Sequence, residues 1–283
     1  MEKTGLVLEG GAARGIYTAG VLDVLLENGV VADGLIGVSA GAIHGCSYVS
    51  GQAGRSYWYT TQYCADKRFM SLWSFLHTGD ICGAQFCYHE LPQTLAPFNN
   101  EGFKRSKTAY YLVCTDVVTG QAVYRRCTDF SGDEIEWMRA SASMPIVSRT
   151  VEADGRLLLD GGIADSSPWR AMQKLGYGRC IVVRTQPEGY RKRPEKMQPL
   201  IACKYRRYPA LVEAMASRHV LYNAQLNDLA AGERADEVFV IRTSRAPDIG
   251  RIEKDKQKVR AVYLLGREDA EAALPALREY LAR

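Results

Sequence analysis

Ser39 lies in Gly37-Val38-Ser39-Ala40-Gly41, directly after an apolar run, Gly34 to Val38, and before a helix-like segment, Ala40 to Val49. A serine between two glycines, on a strand-to-helix turn, has the pattern of a nucleophile elbow. Such a turn projects the hydroxyl from the edge of a sheet, and its glycines keep side chains off the neighbouring strands. The helix N-terminus behind it adds free N–H groups and partial positive charge. The chemistry is acyl transfer. A serine hydroxyl then needs a base for its proton and preorganised N–H donors for the oxyanion. Gly-x-Ser-x-Gly can also be a small-residue turn packing a helix on a strand, so the rest of the chain decides.

Donors are available upstream. The strand Thr4 to Glu9 runs into Gly10-Gly11-Ala12-Ala13-Arg14-Gly15, a loop of consecutive N–H groups with no bulky side chain in front of them and with the charge of Arg14 nearby. The base has two candidate arrangements. Arg156-Leu157-Leu158-Leu159-Asp160-Gly161-Gly162 is an apolar strand ending on a carboxylate, and its two glycines let another element approach closely. Partial desolvation would raise the Asp160 pKa and make it a base, although a turn aspartate can also simply cap its own backbone. The other arrangement is a Ser39, Asp160, His219 triad in α/β-hydrolase order. His219, however, falls inside a helical pattern, Ala210 to Ala231, and His44 follows Ser39 by five residues on the elbow helix, facing away. His77 and His89 lie in an irregular aromatic region.

Taken in order, these stretches resemble a bacterial patatin-like phospholipase. Gly10 to Gly15 resembles the family's Gly-Gly-Gly-x-Arg/Lys-Gly loop, Gly37 to Gly41 its Gly-x-Ser-x-Gly, and Asp160-Gly161-Gly162 its Asp-Gly-Gly/Ala. Arg139-Ala140-Ser141-Ala142-Ser143-Met144-Pro145 is similar to a recurrent family segment. The resemblance implies a three-layer α/β/α fold with a mostly parallel central sheet. It implies a Ser39–Asp160 dyad, with the Gly10, Gly11 and Ala12 N–H groups as oxyanion donors beside Arg14. Gly15, Gly37, Gly41, Gly161 and Gly162 are the motif glycines. The implied activity is hydrolysis of lipid acyl esters, of phospholipase A or lysophospholipase type, through an acyl-enzyme and with no cofactor or metal. Ala12 replaces the family's third glycine, so its methyl is expected either to crowd the loop or to forbid a positive φ that glycine allows. The motifs span residues 5 to about 184, and the tail, notably Arg251-Ile252-Glu253-Lys254-Asp255, resembles the extension of a bacterial subgroup. A catalytic domain over 1–190 and an extension over 191–283, partly packed on it, are expected.

The elements that must position these groups follow from periodicity. Ile16, Ala19, Val21-Leu22 and Leu25-Leu26 recur at helical spacing up to Asn28-Gly29, giving one βαβ unit with the glycine loop after its first strand and Ser39 after its second. A right-handed crossover puts both turns at the carboxyl edge, where open α/β sheets carry their sites. Residues 52–108 are irregular and dense in aromatics, expected to line an apolar pocket or cap over the serine. Further strands are expected at Tyr110 to Thr115, Gln121 to Arg126, Cys180 to Arg184 and Glu237 to Ile241, the last placed to return to the main sheet. Helices are expected at Asp133 to Ser143, Pro168 to Leu175 and Ala210 to Ala231. Two terminal helices, 254–265 and 267–282, are expected to split at Gly266.

Composition bounds the partners. The chain has 283 residues, 47% hydrophobic and 24% charged, with a net charge of +4. These are the proportions of a soluble globular protein. The basic, tyrosine-interleaved stretch from Arg191 to Arg207 reads as a solvated face or a peripheral contact with anionic lipid headgroups, not as a nucleic-acid site. The eight cysteines form no Cys-x-x-Cys pair, which argues for reduced thiols and against zinc. The N-terminus lacks the apolar core of a signal peptide, and no stretch has the length of a membrane span; a cytoplasmic protein is expected. A dinucleotide-binding reading would use Gly10 to Gly15 with Asp33 as the ribose acid, but Asp33 sits at the wrong end of its strand and Asp160 would be left unexplained.

Overall fold

Short apolar strands buried on both faces need a helical layer on each side. The computed structural model, which describes residues 2–283, has that arrangement. In chain order the elements are β1 (Thr4–Leu8), α1 (Ile16–Glu27), β2 (Gly34–Val38), α2 (Ala40–Val49), α3 (Arg55–Tyr63), α4 (Leu72–Thr78), a π-helical segment (Phe86–Leu95), α5 (Asn100–Arg105), β3 (Ala109–Asp116), β4 (Ala122–Cys127), α6 (Glu134–Ser141), β5 (Val151–Ala153) and β6 (Arg156–Asp160). There follow α7 (Trp169–Lys174), β7 (Arg179–Arg184), α8 (Gln198–Lys204), α9 (Pro209–Arg234), β8 (Val238–Arg242) and α10 (Lys256–Ala282).

One sheet runs β5-β6-β3-β2-β1-β7-β8, with β4 paired to β3. The pairings β3-β2-β1-β7-β8 are all parallel, while β4 and β6 meet β3 antiparallel and β5 meets β6 antiparallel. Successive strand residues enter different cores. Leu6, Leu8 and Leu35 pack in one core with α1, α2 and α10, whereas Val7, Ile36 and Val38 pack in the other with Trp169 and Met172 of α7 and Leu229 of α9. The result is the expected three-layer α/β/α fold with a mostly parallel sheet.

Two expectations are corrected. Gly266 does not split the C-terminus: α10 is continuous from Lys256 to Ala282. The glycine is there for space, since a Cβ at Gly266 would overlap the Tyr17 carbonyl of α1, and one at Gly20 would overlap the Tyr263 carbonyl of α10. The two helices therefore meet backbone to backbone. Residues 52–108 are also more regular than they read, holding α3, α4, the π-helical segment and α5. β8 does return to the main sheet, parallel to β7.

Among the described residues no helix is long and apolar enough to cross a membrane. All eight cysteines are free thiols.

Candidate active site

Ser39 holds φ +54°, ψ −125°, between the end of β2 and the start of α2. This left-handed conformation is costly for any residue with a side chain, of order 1–3 kcal/mol, so its surroundings must enforce it. They do so through Ser141. The Ser39 N–H donates to Ser141 Oγ at 3.0 Å, and Ser141 Oγ donates to the Val113 carbonyl at 2.7 Å. Gly41 lets the elbow press on β1: a Cβ there would sit 2.5 Å from the Leu8 carbonyl oxygen. Gly37 and Gly15 serve the same end, their missing Cβ atoms giving room to Ala42 and Ala40.

Asp160 reaches the same place from the other side of β3. Val38 is in register with Val113, and the next residue of β3, Cys114, is in register with Asp160. The row across the sheet therefore brings the end of β2 beside the end of β6. The Asp160 N–H donates to the Ser143 carbonyl at 2.8 Å, and its own carbonyl accepts from Thr115 Oγ1 at 2.8 Å. Its carboxylate Oδ1 accepts from the Gly162 N–H at 2.8 Å, so the residue does cap its own turn. Gly161 has no room for a Cβ against the Val113 carbonyl.

Burial, leaving Asp160 only 2% exposed, pushes its carboxyl above the usual carboxylate range. The positive charge of Arg218, the neighbouring Ser39 side chain and the Gly162 N–H pull the other way, and burial prevails.

The Gly10–Gly15 loop faces the serine, with the Gly10 backbone so close that a Cβ would lie 2.9 Å from Ser39 Cβ. Among the described residues, the Gly10 and Gly11 N–H groups find no acceptor. Ala12 takes φ +51°, the conformation its methyl disfavours, and begins a short 3-10 turn to Gly15. Ala13 N–H donates to the Arg251 carbonyl at 3.2 Å, which straps the C-terminal region across the loop. The Arg14 Nε is buried without a partner.

Neither rival arrangement assembles. His219 sits in α9 with Nδ1 bonded to the Ala216 carbonyl of its own helix, and no hydrogen bond joins it to Ser39 or Asp160. The histidine triad is not favoured: the ring lines the same cavity but is bonded through Nδ1 within its own helix. His44 is buried beside Tyr59, and desolvation holds its imidazole down to about 4. The dinucleotide reading fails on Asp33, whose Oδ2 accepts from the Thr4 N–H at the opposite sheet edge from the glycine loop.

Ser39 and Asp160 lie where two cavities meet. One, of about 710 Å³, is lined by apolar side chains including Ile43, Leu91, Ile135, Met138 and Val259. The aromatic region contributes Tyr59, Phe69, Tyr88 and Phe98 to it. The other, of about 790 Å³, is lined by Arg14, Arg191, Lys192, Arg193, Lys196 and Arg218. Residues 6–172 match the family model described as patatin-like phospholipase. The chain belongs to the patatin-like phospholipase family. Residues 208–282 match a second family, a domain of unknown function, DUF6363.

Among its relatives is a patatin-like phospholipase domain-containing protein of Caenorhabditis elegans, ZK370.4, 30% identical over 63% of this chain and 13% of that protein. YjjU of Escherichia coli is 29% identical over 64% of this chain and 52% of that protein. Lysophospholipase NTE1 of Cryptococcus neoformans is 28% identical over 64% of this chain and 11% of that protein. The chain thus spans about half or less of these relatives. VipD from Legionella pneumophila has a solved structure that aligns with 98% of this chain and 67% of its own at a TM-score of 0.48 and 12% identity.

Sequence reasoning missed four participants. Ser141 and Ser143 lie inside a segment noticed only as family-like, and each grips one half of the pair. Arg218 donates from Nε to the Gly162 carbonyl at 2.6 Å. Glu9, 3% exposed, accepts from the Thr185 N–H at 2.9 Å and from the Tyr222 hydroxyl, tying the loop's entry to β7 and α9.

Proposed function

We propose that this member of the family is a lipid acyl hydrolase that works through a Ser39–Asp160 dyad and an acyl-enzyme. The observation that carries the reading is the buried carboxyl of Asp160, shifted above the usual carboxylate range, beside the strained backbone turn of Ser39 at the mouth of an apolar cavity. The name of the fungal relative, a lysophospholipase, supports the substrate class.

In this reading Ser39 Oγ attacks the ester carbonyl carbon while its proton passes to Asp160. The Gly10, Gly11 and Ala12 N–H groups hold the oxyanion, with Arg14 beside them. Collapse breaks the bond to the alcohol oxygen, which takes the proton from Asp160. Asp160 then accepts a proton from water as the water attacks the acyl-enzyme, and loss of Ser39 Oγ with that proton frees the carboxylic acid. The apolar cavity receives the acyl chain. Residues 1–190 form the catalytic unit and 191–283 the extension, and the basic stretch from Arg191 to Arg207 is the candidate contact with a lipid surface.

The test is labelling by a fluorophosphonate, together with hydrolysis of acyl esters. Wild type should label and turn over; Ser39→Ala should do neither. Asp160→Asn should lose turnover by roughly 10³-fold or more, as removal of a positioned base does, while His219→Ala should keep it. Equal losses in the Asp160 and His219 variants would sink the dyad, and a folded wild type that neither labels nor hydrolyses would sink the enzyme.

A further inference from the structure

The helix α4, Leu72-Trp73-Ser74-Phe75-Leu76-His77-Thr78, is built inside out. Ser74 is fully buried and its Oγ donates to the Asp80 carbonyl at 2.8 Å, while Thr78 Oγ1 donates to the Ser74 carbonyl at 2.8 Å. On the other face Leu72 is 65%, Leu76 72% and Trp73 38% exposed. A helix that meets water does the reverse, turning its leucines to the core and its serines outward. Single exposed leucines are ordinary, but three large apolar side chains on one face form a patch. The face is held firmly in this orientation. Ser71 Oγ accepts the Ser74 N–H at 2.9 Å to cap the helix, and Gly79 closes it at φ +80°.

The helix is the tip of an excursion. Met70 and Cys82 pair in an isolated antiparallel bridge, and the Ser71 N–H donates to the Ile81 carbonyl at 2.9 Å, so the chain leaves and returns at one point. The base of the excursion, Phe69, Met70, Ile81 and Cys82, lines the apolar cavity, whereas Leu72, Trp73 and Leu76 lie outside it. Cations flank the tip. Lys67 Nζ is 4.5 Å from the centre of the Trp73 ring, and the Arg149 side chain lies against Gly79 where a Cβ would stand. Lys204 of α8 reaches the Ser148 carbonyl at 3.5 Å, and the neighbouring Val147 carbonyl accepts the Ile81 N–H at 2.8 Å. Among the described residues none of these three cations is in an ion pair, and Asp66 and Glu90 are both paired with Arg68.

We infer that α4 docks the protein on an anionic lipid surface, with Leu72, Trp73 and Leu76 entering the boundary between headgroups and acyl chains and Lys67, Arg149 and Lys204 facing the headgroups. An apolar helix face rimmed by cations matches that boundary in both of its layers. Trp73, with a cation over its ring, is the residue type that settles at the headgroup level. A second copy of the chain is the weaker occupant. The three side chains present on the order of 300 Å², whereas a stable dimer buries about 800 Å² on each partner. A lipid surface sets no such threshold, because each inserted side chain and each cation adds its own increment. The docking stands apart from the chemistry at Ser39, and only its consequence for turnover rests on the acyl-hydrolase reading: a lipid under the tip has its acyl chain beside the cavity wall formed by Phe69 and Ile81.

The test is co-sedimentation of the full chain carrying Ser39→Ala, which leaves the lipid intact, with vesicles of phosphatidylcholine and phosphatidylglycerol. The protein should bind, and Leu72→Ser with Leu76→Ser added should weaken binding about tenfold or more. Both leucines are exposed, so the unfolding midpoint should stay in place. With Ser39 restored, the double variant should hydrolyse a water-soluble short-chain ester as wild type does and lose turnover on esters held in vesicles. Brominated acyl chains should quench a part of the fluorescence that Trp73→Phe removes. No vesicle binding, or equal binding by the leucine variant, would overturn docking through α4. Binding that ignores the leucines and vanishes in high salt would belong to the basic stretch alone and would overturn it too. A dimer abolished by the same leucines, with no vesicle binding, would assign the face to a second copy, against the inference. Vesicle binding by Ser39→Ala with no hydrolysis by wild type would end the acyl-hydrolase reading and keep the docking.

Discussion

The backbone amide of Ser39 donates to the hydroxyl of Ser141 at 3.0 Å, and that hydroxyl donates onward to the Val113 carbonyl of β3 at 2.7 Å. Two residues further on, the Ser143 carbonyl accepts the Asp160 N–H at 2.8 Å. The end of α6 thus grips both halves of the pair through one short segment. The relative position of hydroxyl and carboxyl is set by this clamp, because Ser39 itself is in a conformation it would otherwise leave.

Ser141→Ala tests the clamp. The substitution fits the space but leaves the Ser39 N–H and the Val113 carbonyl unpaired in a buried site, at about 1–3 kcal/mol of stability. Freed from its anchor, the elbow should relax away from φ +54°. A misplacement of about 1 Å costs on the order of 10²-fold in rate. The expected result is a folded protein with a lowered unfolding midpoint and kcat reduced by one to two orders of magnitude, with KM little changed. A variant as active as wild type would show that the elbow holds itself.

Arg218 should set the acid limb of the pH profile. In the proposed dyad Asp160 acts as the carboxylate, and burial raises its pKa, so activity should fall as pH drops through a value above that of an ordinary aspartate. The groups that oppose burial are Arg218 of α9, the Ser39 hydroxyl, the Gly162 N–H and the charge of Lys192. Removing the cation in Arg218→Gln should therefore raise the Asp160 pKa and move the acid limb of kcat/KM upward. Arg218→Lys should move it less. The stability consequence has the opposite sign to the usual aspartate: with a raised folded pKa, ionised Asp160 costs stability at neutral pH, and protonation relieves that cost. An acid limb unmoved in Arg218→Gln would mean that Arg218 acts only through the Gly162 turn.

The elbow and the glycine loop have local sequence patterns of their own, whereas the pairing of Ser39 with Asp160 is implied by the resemblance of the ordered motifs to a family. An elbow needs small residues at fixed offsets, and a strand buried on both faces is written as an unbroken apolar run. Ser39 and the Gly10–Gly15 loop follow from such patterns. Arg218 does not, since its place depends on how α9 docks against the Asp160 turn, and nothing around it in sequence marks that docking. Residues 52–108 were opaque for a different reason. Their helices are short and one is π-helical with Pro92 inside it, so a 3.6-residue period has little length in which to show. Gly266 was misread because a glycine that ends a helix and a glycine that admits a neighbouring backbone look alike in sequence.

Gly266→Ala separates those two meanings. Alanine is the better helix former by about 1 kcal/mol, so a glycine that merely interrupted α10 would be improved by it. In the structure the new Cβ would overlap the Tyr17 carbonyl, and α1 and α10 would have to separate. Overpacking of this kind costs about 1–3 kcal/mol. Denaturant unfolding should give a lower midpoint at unchanged slope; a higher midpoint would refute the close packing of the two helices.

Ala12 is the departure from the family's loop, and its φ of +51° defines what that departure costs. The left-handed region is disfavoured for an L-residue by about 1–2 kcal/mol, whereas glycine enters it freely. Glycine also gives the unfolded chain more freedom, which offsets part of the gain. Ala12→Gly should therefore stabilise the protein by roughly 0.5–1 kcal/mol, read as a rise of about 1–4 °C in Tm. Ala12→Val should act in the other direction, because a branched Cβ is still less tolerated at positive φ, and it should lower Tm. The loop turns at Ala12 because the Arg14 N–H closes back on the Gly11 carbonyl at 3.1 Å and the Arg251 carbonyl holds Ala13 at 3.2 Å, contacts that the methyl does not obstruct. If both variants left Tm where it is, the conformation at Ala12 would carry no strain, and the loop would be relaxed with alanine in place of glycine.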